Sequence, residues 1–233
     1  MKTEEAAALV ASIPHWHHRF EIFPGITTPG TYDPAFLLAK MKLPEELHGK
    51  RVLDIGASDG FFTLEMARRG ARVVAIDYRG KESHGFGVME KLNGIDVEYH
   101  QMNLYNLSVE RFGQFEIIVF MGVLYHLPDM LRALAKIREM SVGTMFLETH
   151  ADTSLDSKVA AARYYRGSSL AGDITNFWSP NCRCVLDMLE DAGFRLERDE
   201  AWGDRLFVVT SVDDRDARIS EKMRLAYSDD LNS

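Results

Sequence analysis

Val52-Leu-Asp-Ile-Gly-Ala-Ser-Asp-Gly-Phe-Phe62 is the stretch on which the fold turns. Arg51-Val-Leu-Asp-Ile55 is a short, mostly apolar run that stops at a glycine, as a strand buried on both faces does. From Gly60 to Arg69 the apolar residues Phe61, Leu64, Met66 and Ala67 take the spacing of an amphipathic helix. A strand therefore delivers the chain to a glycine turn, and a helix leaves it. In an open α/β sheet, ligands bind at the carboxyl ends of the strands. Gly56 and Gly60 would allow close backbone approach and unusual φ there.

The same rhythm continues outward. Arg72-Val-Val-Ala-Ile76 reads as a second strand, stopping at Asp77, and Asp96 to Gln101 as a third. Phe115 to Phe120 reads as a fourth, followed by a helix from Asp129 to Met140. Thr144 to Glu148 is a fifth strand. After a helix from Cys182 to Ala192, Phe194–Ala201 and Arg205–Thr210 read as a closing antiparallel pair. Strands alternating with helices imply a parallel sheet with right-handed crossovers. Upstream lie helical runs at Glu4–Ser12 and Pro34–Met41, separated by the turn-rich Pro24 to Gly30. The organisation expected is an N-terminal cap at 1–48, a main domain at 49–212 and a tail at 213–233. Residues 151–180 break the rhythm and suggest a lid or substrate insertion.

The 233 residues suffice for one sizeable core, and 46% hydrophobic with 27% charged is the balance of a globular chain. No run approaches the roughly 18 to 20 apolar residues that span a bilayer. The N-terminus, with Glu4 and Glu5 early, is a poor signal peptide. Cys182 and Cys184 are too close to close a useful loop and too few for structural zinc, so reduced thiols and a cytoplasmic address are expected. A net charge of −8 disfavours a large nucleic-acid partner.

The glycine spacing narrows the ligand. A dinucleotide fingerprint starting at Gly56 would need glycines at Ser58 and Phe61, and it fails. That disfavours a nicotinamide oxidoreductase. S-adenosylmethionine (SAM) carries no phosphate and needs no such cradle. Asp54 could sit near its ammonium, with N–H groups of the turn (Gly56, Ala57, Ser58, Gly60) at its carboxylate. Asp77 could accept both ribose hydroxyls. In Gln101-Met-Asn-Leu104, Asn103 could address the adenine amino group, with Leu104 and Tyr78 on the ring faces; the alternative is that Asn103 caps a turn.

LDIGASDG, the acid after the second strand and the Asn-Leu after the third together resemble the motifs of class I SAM-dependent methyltransferases. The resemblance implies a Rossmann-like α/β fold: a mostly parallel seven-stranded sheet with an antiparallel C-terminal strand, here with an N-terminal helical cap. The commoner pattern has glycine at Ser58 and often at Ala57. Phe120-Met-Gly-Val-Leu-Tyr-His126, Leu147-Glu-Thr149 and the Trp16 segment resemble the tRNA wobble-uridine methyltransferase-like family, which includes enzymes using carboxy-SAM to make 5-carboxymethoxyuridine. That likeness implies Met121 near the cofactor, Tyr125 near the transferred group and Arg205 near an anionic group. This chain lacks the Lys-rich stretch after the tryptophan, and 25–33 and 173–181 look like shorter bacterial relatives that act on small molecules.

Methyl transfer from a sulfonium mainly needs alignment and exclusion of water. A hydroxyl acceptor also needs its proton removed. His126 is the first candidate base, the alternative being that it caps a helix or orients Tyr125; His150 is the second. His15, His17 and His18 cluster in the cap, but their spacing forces no metal and none is expected. Trp16, His18, Tyr164, Tyr165 and Trp178, with Arg205, are candidates to line an acceptor pocket; the aromatics could equally be core packing. The expected function is methylation of a small-molecule hydroxyl on a sugar or natural product. The alternatives are a tRNA wobble-uridine enzyme using SAM or carboxy-SAM, and a non-catalytic SAM-binding regulator.

Overall fold

The computed structural model describes residues 1–212 and 220–227, divided into a unit at Met1–Asn103 and a second at Leu104–Ser233. In the first unit, Arg51–Ile55 pairs in parallel with Arg72–Asp77, which pairs in parallel with Glu98–Gln101. Val52, Leu53, Ala75 and Ile76 are fully buried, as a parallel strand covered on both faces requires. Helix Phe61–Arg68 buries Phe61, Phe62, Thr63, Leu64 and Met66.

A second helix, Phe86–Asn93, is not among the elements the patterning predicts. Its buried residues Phe86, Met89 and Glu90 do recur at helical spacing. Glycines at 80, 85 and 87 and a charge on the buried face obscure the signal. Glu90 tolerates burial because one oxygen accepts from Lys81 Nζ at 2.8 Å and the other from Val97 N–H at 3.0 Å.

The N-terminal segment contains helices Thr3–Ala11 and Ala35–Met41 and a small hairpin, Glu21–Phe23 with Ile26–Thr27. Trp16 anchors it. The ring is buried, its Nε1–H donates to Val10 O at 3.0 Å, and it lies so close to Gly85 that an added Cβ would come within 1.9 Å. Trp16 is thus core packing of the segment, not a face open to an acceptor.

In the second unit, Phe115–Met121 runs parallel to Ser141–His150, and Arg205–Ser211 is antiparallel to both Ser141–His150 and Arg195–Trp202. Together the units supply the seven strands of a mostly parallel, Rossmann-like sheet with its antiparallel strand near the C-terminus. Helix Met130–Met140 is capped by Asp129, whose carboxylate accepts from Arg132 N–H, and Cys182–Asp191 is capped likewise by Asn181. Ser141–His150 is longer than the patterning predicts, so His150 is the last residue of the strand rather than a loop residue after it. The 151–180 insertion holds a short antiparallel pair, Ala162–Tyr164 with Trp178–Pro180. Cys182 and Cys184 are free thiols. Of the expected tail, 213–219 and 228–233 lie outside the described residues, and Glu221–Ala226 is helical. Among the described residues no helix is long and apolar enough to cross a membrane.

Candidate active site

In the first unit the Gly56–Gly60 turn takes the left-handed region three times, at Gly56 (φ 74°), Ser58 (φ 49°) and Gly60 (φ 82°). Serine pays a steric cost there that glycine does not, which gives a reason why glycine is the commoner residue at that position. At Gly60 a Cβ would come within 2.4 Å of Met89 Cε and 3.0 Å of the Phe86 ring, so glycine is needed for space as well. Gly56 and Ala57 N–H donate to Ile76 O, Ser58 N–H donates to Asp77 Oδ2 at 3.1 Å, and Gly60 N–H donates to Ala57 O. These N–H groups, expected at a ligand carboxylate, are bonded within the protein: Gly56, Ala57 and Ser58 hold the turn against the end of the next strand, and Gly60 closes the turn on itself.

Asp54 is buried and accepts from Thr63 Oγ1 at 2.5 Å. Burial pushes its carboxyl up to about 7, with the Thr63 bond opposing and the nearby Asp77 adding to the rise. The second oxygen of Asp77 accepts Arg79 N–H at 3.0 Å. Tyr78 is 66% exposed and carries the Arg79 guanidinium 5.2 Å from its ring centre. Asn103 is exposed beyond strand Glu98–Gln101.

Asp59, which the sequence reading does not single out, ties the N-terminal segment to the turn. Its Oδ2 accepts His17 N–H at 2.6 Å and His18 N–H at 2.9 Å. The His18 ring is buried beside it, and burial, with His17 adding, lowers its pKa to about 3, so the imidazole is neutral. His18, like Trp16, is built into the packing. Thr63 and Asp59 both stand within one turn of the motif, and an acid inside a glycine turn was the available signal.

In the second unit, Leu104 is buried and Met121 ends strand Phe115–Met121, half-buried. The 3₁₀ turn Leu124–His126 brings Tyr125 and His126 side by side, ring centres 4.1 Å apart. Arg205 forms a side-on pair with buried Glu148: Nε bonds Oε1, and Nη2 bonds Oε2 at 2.7 Å. The guanidinium also lies 5.2 Å from the centre of the Tyr125 ring. Burial alone would lower the Arg205 pKa; the Glu148 pair outweighs it and holds the arginine charged. Burial raises the Tyr125 phenol, with Arg205 opposing. The arginine expected to meet an anionic ligand is therefore already matched by a carboxylate of its own unit.

His126 Nδ1 lies 2.9 Å from Thr175 Oγ1 and 3.2 Å from Thr175 O. His150, 5.9 Å from Tyr125 between ring centres, sits 3.4 Å from Asp204; burial lowers its pKa, with Asp204 opposing. The insertion grips the turn that carries His126: Phe177 N–H donates to Tyr125 O at 3.0 Å and Trp178 Nε1–H to Pro128 O at 3.1 Å. Tyr165 N–H bonds Phe177 O, while Tyr164 is 58% exposed with its ring edge-on to Trp178. Glu148 as the partner of Arg205, and Thr175 and Asp173, are site residues the sequence reading did not assign. Among the described residues no three His, Cys, Asp or Glu side chains converge as a metal site.

A methyltransferase-domain family model matches residues 31–198. The chain belongs to that family. It is 37% identical over 107 residues to a ubiquinone biosynthesis O-methyltransferase of Aeromonas salmonicida, a stretch that is 44% of each chain. A protein of the same name from Xanthomonas euvesicatoria is 35% identical over 107 residues, 45% of this chain and 44% of the relative. The chain thus spans less than half the length of the curated relatives it matches. Among solved structures, the N-terminal domain of EvdMO1 with S-adenosylhomocysteine bound aligns with a TM-score of 0.71 at 20% identity, over 94% of this chain and 98% of that one. The 1,6-didemethyltoxoflavin-N1-methyltransferase of Burkholderia thailandensis gives 0.61 at 19% identity, over 92% of each. At these identities the likeness establishes the fold, the Rossmann-like methyltransferase fold. The curated relatives reported are named for ubiquinone O-methylation, not for tRNA wobble-uridine modification.

Proposed function

We propose that this chain is a SAM-dependent methyltransferase that methylates a hydroxyl group of a small molecule. The observation that carries the reading is the Asp54–Gly60 turn. A buried carboxyl poised near neutrality stands at the end of the first sheet strand, beside a three-fold left-handed turn pinned by Asp77. A carboxyl of that kind gains most from a cation, and the ammonium of SAM is one. Asp77 would hold the ribose and Asn103 the adenine; SAM brings a methyl group on a sulfonium that leaves readily. On the acceptor side, His126 takes the hydroxyl proton, and the half-buried Tyr125 shapes the subsite.

Three further points support a small-molecule hydroxyl acceptor and SAM over carboxy-SAM. Arg205 is already paired to Glu148, so a carboxylate on the transferred group has no unmatched arginine there. The net charge of −8 opposes tRNA. The O-methyltransferase name of the relatives favours oxygen as the accepting atom.

Native mass spectrometry of the purified protein with and without added SAM, followed by transfer of an isotopically labelled methyl group to phenols, sugars and bulk tRNA, tests the reading. SAM retention with label on a small hydroxyl compound is expected. Failure to bind SAM overturns the cofactor; label on tRNA overturns the acceptor class. Binding with no transfer to any acceptor favours the regulator reading.

A further inference from the structure

We propose that Thr175, backed by Asp173, is a positioning residue that fixes the His126 ring with its proton on Nδ1 and so presents Nε2 as the basic nitrogen. The proposal rests on the reading of His126 as the proton acceptor. It starts from counting protons. Asp173 Oδ1 accepts Thr175 N–H at 2.8 Å and lies 2.7 Å from Thr175 Oγ1. Burial alone would raise the Asp173 carboxyl, but the two bonds from Thr175, with His126 adding, hold it below its ordinary value, so it is ionised. An ionised carboxylate only accepts, and the single hydroxyl proton of Thr175 therefore points at Asp173.

That leaves the Thr175 oxygen as an acceptor toward His126. Nδ1 of His126 lies 2.9 Å from that oxygen and 3.2 Å from the Thr175 carbonyl. A carbonyl also only accepts. Both contacts at Nδ1 are satisfied only when Nδ1 carries the proton, and in the neutral ring the lone pair then belongs to Nε2. A free neutral imidazole prefers the opposite tautomer, so the environment sets this one.

The arrangement is held on both sides. Phe177 N–H bonds Tyr125 O and Trp178 Nε1–H bonds Pro128 O, so the 175–178 segment is tied to the turn before and after His126. The insertion thereby selects the protonation pattern of the base.

The test reads the ring directly and needs no acceptor. Long-range ¹H–¹⁵N spectra of the whole protein are recorded above the histidine titration range, with His126→Ala to assign the signals. The wild type and Thr175→Ser are expected to carry the His126 proton on Nδ1. Thr175→Val, which removes the hydroxyl but keeps the shape, is expected to raise the Nε2–H population several-fold. A wild-type ring protonated on Nε2, or a Thr175→Val spectrum identical to wild type, overturns the proposal. If Thr175→Val does not fold, the wild-type and Thr175→Ser spectra still decide. Undiminished methyl transfer by His126→Ala would instead overturn the proton-acceptor reading while leaving the tautomer assignment in place.

Discussion

The Gly56–Gly60 turn and the Tyr125–His126 cluster both rely on carboxylates, buried at Asp59, Asp77 and Glu148 and exposed at Asp173, but they spend them on different partners. In the turn, Asp59 and Asp77 bind backbone N–H groups: His17, His18, Gly85, Ser58 and Arg79. In the cluster, Glu148 and Asp173 bind side chains that in turn touch Tyr125 and His126, Asp173 accepting the Thr175 N–H as well. Backbone donors fix the path of the chain. Side-chain donors fix charge and proton placement. The first region therefore fixes a backbone shape, and the second fixes the charge and proton positions of its side chains.

The largest expected effect breaks the second region. Glu148→Ala leaves the Arg205 charge buried and unpaired, and should cost about 3 kcal/mol or more in urea unfolding. Glu148→Ala combined with Arg205→Met should recover most of that loss; no recovery would mean the pair matters through packing, not charge. The counterpart in the first region is Asp59→Ala. It strips three backbone donors, His17, His18 and Gly85, of their acceptor and should cost about 1–3 kcal/mol, with faster amide exchange confined to residues near 15–20 and to Gly85. Exchange as slow as in wild type would show that the segment is held without Asp59.

A subtler probe is the pH dependence of SAM binding. Asp54 is protonated in the free protein below about 7. A ligand ammonium favours the carboxylate, so binding should release a proton, and affinity should rise with pH up to about 7, by at most tenfold per unit. Calorimetry in two buffers of different ionisation enthalpy reads that proton. A pH-independent affinity between 5 and 7 would place the ammonium elsewhere. The smallest expected effect is Ser58→Gly. Relief at φ 49° is offset by a more flexible unfolded chain, so the change should stay within about 0.5 kcal/mol by thermal unfolding. A larger loss would show that the serine hydroxyl holds the turn.

Much of the fold was legible because its signals are local. The five-strand rhythm, the glycine turn and the closing hairpin each follow from periodicity within a few residues, and the observed boundaries fall close to those the patterning predicts. Helix Phe86–Asn93 was not legible, because its core-facing Glu90 depends on Lys81 and Val97 to be buried at all. The sequence leaves Trp16 and His18 between an acceptor wall and core packing. Only the packing against Gly85 and the bonds to Asp59 show that they are internal.

The sequence by itself determined the class of the chain and the placing of Asp54 and Asp77 at its glycine turn. Asp54 and Asp77 lie at two adjacent strand ends, and Gly56 and Gly60 in the turn that leads from the first strand to its helix, where the order of residues already dictates the order in space. The tertiary structure alone decided what the acceptor-side residues are bonded to. Glu148 meets Arg205, and His126 meets Thr175, across some fifty residues of chain in each case. No local preference encodes such a meeting. It arises when two antiparallel strands fall into register, placing Arg205 opposite His150, and when an insertion folds back onto the turn it serves.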